Sequence, residues 1–303
     1  MPENVSLREK LRRAAQEQGF VRFGIAAATD IPPEINAQFS EFISQGRHGE
    51  MDYLEKYSEI RRNPSLLLDN ARARSIIAVA ASYYTDTPQP GLRWARYALG
   101  KDYHDIIRMK LGPLKQMLAQ AGFQARICVD TAPLYEKYWA VRAGIGTIGM
   151  NTLLLTPAGS YVLLGFIVTD AELPADRPLD RELCTRCGAC VRACPGKALS
   201  PEGMDASRCN SYLTIEFRDE LPENLRLGKR IYGCDICQEV CPVNRNPAPA
   251  RWEEFLPNSE ILSLTPEKIL SLTPESYSRI FRGSAIKRAK LAGLLRNLKK
   301  TES

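Results

Sequence analysis

Histidine is nearly missing from this chain of 303 residues, with only His48 and His104 present. Neither stands at metal-ligand spacing to another His or Cys, and no Ser-His-Asp set is visible, so both read as surface or structural histidines. Long apolar runs are missing too. The longest, Tyr161 to Val168, has strand length and falls short of the roughly 18 residues that a bilayer-crossing helix needs. No secretory signal is expected, because Glu3, Arg8, Glu9 and Lys10 occupy the place of an apolar leader. Acid is absent from Arg282 to Lys300, where seven Lys or Arg residues stand in a chain of net charge only +6. Such a stretch suits a phosphate backbone, and equally a solvated basic helix.

Cysteine, by contrast, is plentiful and patterned. Of nine, eight fall into Cys184-x-x-Cys187-x-x-Cys190-x-x-x-Cys194-Pro195, then Cys209, then Cys234-x-x-Cys237-x-x-x-Cys241-Pro242. Three thiolates two residues apart, followed by Cys-Pro, is the bacterial ferredoxin run for a 4Fe–4S cluster. The fourth cysteine of such a run ligates the other cluster in two-cluster proteins. That crossover assigns Cys184, Cys187, Cys190 and Cys241 to one cluster, and Cys194, Cys209, Cys234 and Cys237 to the second. The displacement of Cys209 from Cys234 predicts an insertion looping out between ligands of the second cluster. Structural zinc is the alternative, but zinc ribbons use paired Cys-x-x-Cys knuckles. Free thiolates require a reducing compartment, and the cytoplasm is the default.

Along the chain, Val5 to Gln18 has the apolar spacing of a helix, and Phe20 to Ala26 that of a strand. Pro32-Pro33 opens a second helix, and Ile76 to Ala80 suits a strand buried on both faces. A long helix ends at Gly122 and should kink or split at Gly112-Pro113. Phe123 to Val129 forms the next strand, and Pro133 starts another helix. Alternation of strands and helices up to Pro174 indicates an α/β domain, and the fold class expected is α+β or α/β. Three parts are expected: residues 1–174 as a substrate and cofactor domain, 175–246 as a ferredoxin-like domain, and 247–303 as a helical basic tail.

Gly144-x-Gly146-x-x-Gly149 has dinucleotide spacing in the wrong context, since it follows a helix and leads into a strand. Its glycines instead suggest close backbone approach to some other flat ligand. Asp130 falls at the end of a strand, where it could contact a ligand or cap the helix from Pro133. Cys128 shares its strand face by alternation, and a lone strand cysteine is ordinary core. Clusters alone need few residues, so the preceding domain must hold a substrate and a second redox centre.

Longer motifs carry a resemblance. Arg47-His48-Gly49-Glu50-Met51-Asp52-Tyr53-Leu54, Arg96-Tyr97-Ala98-Leu99-Gly100-Lys101-Asp102-Tyr103-His104, Val129-Asp130-Thr131-Ala132-Pro133, the glycine turn with Asn151-Thr152-Leu153-Leu154, both cysteine runs, Cys209-Asn210-Ser211-Tyr212 and Phe281-Arg282-Gly283-Ser284-Ala285-Ile286 resemble the epoxyqueuosine reductases. The resemblance implies a cytoplasmic, monomeric oxidoreductase. It would use cobalamin and two 4Fe–4S clusters to reduce epoxyqueuosine to queuosine at the wobble position of tRNA, with electrons from a flavodoxin or ferredoxin. It also implies a nitroreductase-like α/β fold related to reductive dehalogenases, with Asp130 as proton donor. Arg62, Asp130, Gly146, Ile148, Gly149, Met150, Asn151, Thr152, Ser211 and Asp235 would lie near the corrin or its tail. Asp130 could donate at neutral pH only if burial raised its pKa. Arg282, Lys287, Arg288 and Lys290 would meet tRNA phosphates. Thr147 and Met150 stand where the family carries an aromatic residue and a lysine, and Phe166 where it carries an acid. Longer members continue into helical repeats, so a smaller tRNA surface is expected here. Two rival readings are a corrinoid reductase of small molecules and a non-catalytic electron carrier.

Overall fold

The computed structural model describes residues 6–301. Its centre is a four-stranded sheet of β1 (Arg22–Ala27), β2 (Ser75–Ser82), β3 (Ala125–Cys128) and β4 (Val162–Thr169), in the order β1-β2-β4-β3. Every neighbouring pair is antiparallel, with Ile25 opposite Ile77 and Ile77 opposite Ile167. The alternation of strands and helices therefore does not build parallel crossover units, and the domain is a mixed α and β fold on an antiparallel sheet. Alternation sets the order of elements along the chain but not the direction in which a strand returns.

Strand β2 is buried along its whole length, as its unbroken apolar run requires. Its side chains divide by parity. Ile77, Val79 and Ala81 face α1 (Leu7–Glu17) and α2 (Tyr103–Gln120), meeting Leu11, Ile107, Leu111 and Leu114. Ile76, Ala78 and Ala80 face the other layer, with Leu67 and with Trp139 of α3 (Glu136–Arg142). Phe166, in the expected acid position, is fully buried in this second core. Truncating a residue such as Leu111 to Ala should cost about 2–5 kcal/mol.

Several expectations shift in detail. The expected helix start at Val5 lies outside the described residues; Ser6 caps α1, its hydroxyl accepting from the Glu9 amide. Helix α2 does not split at Pro113. Pro113 is exposed, and the opposite face is fastened to the sheet by Ile107, Leu111, Leu114 and Leu118. Strand β3 stops at Cys128, and Asp130 has φ 55°. Cys128 consequently enters the second core while Asp130 turns outward, so the two do not share a face.

A third core joins the C-terminal helices to the middle of the chain. Ile261, Ile269, Phe281, Ile286 and Leu294 pack with Trp94, Leu99, Ile231 and Tyr232. The stretch between Cys209 and Cys234 is not a loose loop. It contains a helix, Asn210–Ile215, and a strand, Arg230–Tyr232, paired parallel to Arg93–Trp94. The Arg296 guanidinium donates to the carbonyls of Leu213, Phe217 and Asp219, and the Asn297 amide to those of Thr214 and Ile231. Apolar residues and carbonyl partners far along the chain order this insertion, and neither is visible in its local composition. No helix among the described residues is long and apolar enough to cross a membrane.

Candidate active site

The cysteines fall into two sets. Gly188, at φ 70°, precedes the short helix Ala189–Ala193 that carries Cys190, and that helix stops at Cys194-Pro195. Cys184, Cys187, Cys190 and Cys241 border one small void, next to Met150 and Asn151. Cys194, Cys209, Cys234 and Cys237 line part of a far larger cavity. All of these thiols are free. Among the described residues no three His, Cys, Asp or Glu side chains are close enough to hold a single metal ion. Thiols that surround open space suit a four-iron cube better than one zinc. Burial pushes the Cys234 thiol up to about 12 and Cys237 higher still, with neighbouring thiols adding to both.

The large cavity measures about 410 Å³, or about 1380 Å³ with the open space at its mouth. Tyr83, Tyr97, Leu163, Leu164 and Met204 give it a largely apolar wall. Asn151, Thr152, Ser211 and Asp235 contribute polar groups. Two buried amide atoms in this wall, Asn151 Nδ2 and Asn210 Oδ1, have no hydrogen-bond partner. Buried polar groups normally find one, so these two call for a ligand that both accepts and donates. Asp235 is buried and accepts from the Arg96 amide at 2.8 Å; burial lifts its carboxyl to about 6.

Asp130 meets the cavity through Tyr103, which lines it. One carboxylate oxygen, Oδ2, accepts from the Tyr103 hydroxyl at 2.9 Å and lies 3.0 Å from His104 Nε2. His104 Nδ1 lies 2.7 Å from Asp102 Oδ1. The rings of Tyr103 and His104 stack at 4.0 Å. The Asp130 side chain is exposed; the protein packed around it pushes its carboxyl upward, but the His104 and Tyr103 bonds outweigh that, and its pKa lies below the ordinary carboxylate value. The expected rise toward neutrality is therefore not found. The raised carboxyl beside it is that of Glu136, taken to about 8 by burial and then by the Asp130 charge. Glu136 accepts from the Asp130 amide at 2.6 Å, fixing the turn. Nor does Asp130 cap a helix, since α3 begins only at Glu136 and has no side-chain cap.

The remaining residues named from the sequence scatter. Met150 borders the smaller void. Gly146, Ile148 and Gly149 are not in the cavity wall. A Cβ on Gly146 would meet the Leu155 carbonyl at 2.3 Å, and one on Gly149 the Asn151 side chain at 2.7 Å. The hairpin that pairs Thr147–Ile148 with Leu154–Leu155 thus itself requires glycine at both positions. Arg62 ends the helix Ser58–Arg62 and is exposed. Spacing does not single out His104, Tyr103 or Glu136 for this site, because the site is assembled from segments well apart in the chain; the polar and aromatic run before α2 is the only local signal.

A double set of four cysteines, on a mixed fold with a large cavity, defines a two-cluster iron–sulfur protein. Residues 183–244 match the family described as a 4Fe-4S double cluster binding domain, and residues 61–131 that described as epoxyqueuosine reductase QueG, DUF1730. An epoxyqueuosine reductase of Leadbetterella byssophila is 37% identical over 96% of this chain and 96% of its own. The crystal structure of an epoxyqueuosine reductase with an epoxyqueuosine-modified tRNA stem loop superposes with a TM-score of 0.87. It is 31% identical and covers 96% of this chain and 80% of that one. A reductive dehalogenase is similar in fold alone, with a TM-score of 0.50 and 16% identity over 99% of this chain and 39% of its own. The chain belongs to the epoxyqueuosine reductase family.

Proposed function

We propose that this chain reduces the epoxide of epoxyqueuosine to the alkene of queuosine at the wobble position of tRNA, using two 4Fe–4S clusters and cobalamin. The observation that carries this reading is the cavity itself. Four cysteines line part of its wall, and Tyr103, the partner of Asp130, lines another part. Reducing equivalents and a proton source thus border one space of ligand size.

The two sets, Cys184, Cys187, Cys190 with Cys241 and Cys194, Cys209, Cys234 with Cys237, are the cluster ligands in this reading. The wall fits a corrinoid. Its apolar surface suits a macrocycle, and the unpartnered amide atoms of Asn151 and Asn210 suit the amide-bearing rim of cobalamin. Asn151, Thr152, Ser211 and Asp235 would hold that rim. When bound, cobalamin supplies a strongly reducing cobalt centre fed by single electrons from the clusters. Asp130 delivers the proton to the departing oxygen.

Residues 1–174 form the nitroreductase-like cofactor and substrate part, 175–246 the ferredoxin-like part and 247–303 the basic tail in this assignment. A flavodoxin or ferredoxin serves as electron donor, and the protein works as a monomer in the reducing cytoplasm. The test is anaerobic reconstitution with iron, sulfide and cobalamin, followed by absorption spectroscopy. A cobalamin spectrum perturbed by the protein supports the reading; a preparation that carries zinc and ignores cobalamin removes it.

A further inference from the structure

We propose that His104 is a positioning residue that stores a proton and passes it through Asp130 to the leaving oxygen, with Asp102 holding the charge in place. The proposal rests on the epoxide-reduction reading above. Converting an oxirane to an alkene breaks both C–O bonds, forms one C=C bond and releases the oxygen as water. The balance is two electrons and two protons for each turnover. The electrons come from a one-electron reductant of the flavodoxin or ferredoxin class by way of the clusters. Both protons must reach one oxygen atom, and Asp130, whose pKa lies below the ordinary carboxylate value, holds neither until one is supplied to it.

The geometry provides the carrier that supplies it. Both ring nitrogens of His104 face carboxylate oxygens, Nδ1 toward Asp102 at 2.7 Å and Nε2 toward Asp130 at 3.0 Å. A neutral imidazole has one N–H and can satisfy only one of them, whereas an imidazolium satisfies both. The position argues against a merely structural cation. Asp102 is the N-cap of α2, and His104 sits in its first turn, where the helix dipole disfavours positive charge. Two flanking carboxylates overcome that penalty.

Other groups face this chain as well. Lys287, from the tail, lies 3.6 Å from Asp102 Oδ2. Glu136 accepts from the Asp130 amide, and Arg108 donates to Thr131 next to it. The charge of Arg288 reaches Asp130, and the Tyr103 hydroxyl shares Oδ2 with His104. The cations oppose a charged imidazole, yet the two acids in direct contact prevail. Although burial alone would lower it, the His104 pKa is raised to about 9 by Asp102 and Asp130. With Asp130 ionised at rest, Nε2–H is aligned to hand its proton to Asp130 as Asp130 protonates the oxygen; the second proton comes from solvent water as the pair recharges.

The test uses the cluster- and cobalamin-loaded enzyme, a tRNA stem loop carrying epoxyqueuosine, and His104→Gln and Asp102→Asn variants. Two readouts are taken. ¹⁵N-imidazole NMR follows the titration, His104 being assigned by its loss in His104→Gln, since His48 is the only other histidine. The pH dependence of kcat and KM is measured alongside iron content. In the wild type, His104 should titrate near 9, falling toward about 6.5 in Asp102→Asn. In step with it, the alkaline limb of kcat should move to lower pH in Asp102→Asn. His104→Gln should lose about 10²-fold or more in kcat with KM and iron little changed. A wild-type His104 that titrates near or below 6.5 overturns the proposal whatever the variants do. So does a His104→Gln enzyme that keeps the wild-type kcat and pH profile. A wild-type enzyme that leaves epoxyqueuosine unreacted overturns the functional reading and this proposal with it.

Discussion

Asp130 is held by contacts on several sides. Its φ of 55° turns it out of β3, Glu136 takes its amide, and Tyr103 and His104 take one carboxylate oxygen. A non-glycine residue in the left-handed region costs free energy and persists where the surroundings over-determine it, as functional sites do. Asp130→Asn should preserve both clusters and cobalamin binding while turnover falls about 10²-fold or more; full activity in that variant would remove Asp130 from the reaction. The His104 imidazolium also has a stability consequence. Its folded pKa of about 9 exceeds the unfolded value of about 6.5, so its contribution is complete below about 6.5 and is lost as pH rises through about 9. The difference in melting temperature between wild type and His104→Gln should shrink over that window, and a constant difference would contradict the charged assignment. At this scale the cysteines and Asp130 were legible because spacing and motif mark them. His104 was not, because its role depends on a contact with Asp130, 26 residues away.

At the scale of elements, the insertion between Cys209 and Cys234 shows how distant chain orders a cluster ligand. Asn297 donates to Thr214 and Ile231, and the Thr214 hydroxyl accepts from the Gly233 amide, next to Cys234. Asn297→Ala leaves two buried carbonyls unsatisfied and should cost about 1–3 kcal/mol each at most. Thermal unfolding of the cluster-loaded protein measures it; an unchanged melting temperature would mean that water takes over both bonds. Cys209→Ser should cut the iron content by about half, since it removes one ligand of a single four-iron set. Loss of all iron would show that the two sites assemble as one. The cysteine runs foretold this region's chemistry, but its helix and strand depend on the tail. The α/β alternation likewise revealed the elements but not their antiparallel pairing, which is set by sheet contacts.

For the whole molecule, the basic tail is both structural and, in our reading, the tRNA surface. Arg288 pairs with Glu216 at 2.6 Å and Lys287 leans toward Asp102, whereas Arg282 and Lys290 are exposed. Arg282→Gln with Lys290→Gln should weaken tRNA binding across sequences. The slope of log K against log salt should flatten by about 0.7–0.9 for each phosphate that is no longer neutralised. An unchanged slope would move the tRNA surface elsewhere. The third core, joining residues 92–99 to the tail, puts this basic face beside the segment that carries Asp102 and His104. The overall match to the family was legible from the order of its motifs, while this joining of tail and site was not, because it depends on packing between distant segments. The most direct measurement is nucleoside mass spectrometry of epoxyqueuosine-containing tRNA incubated anaerobically with the reconstituted protein and a one-electron reductant. Conversion to queuosine is expected, dependent on both iron and cobalamin. Unchanged epoxyqueuosine, with both clusters intact and cobalamin bound, would contradict the assignment.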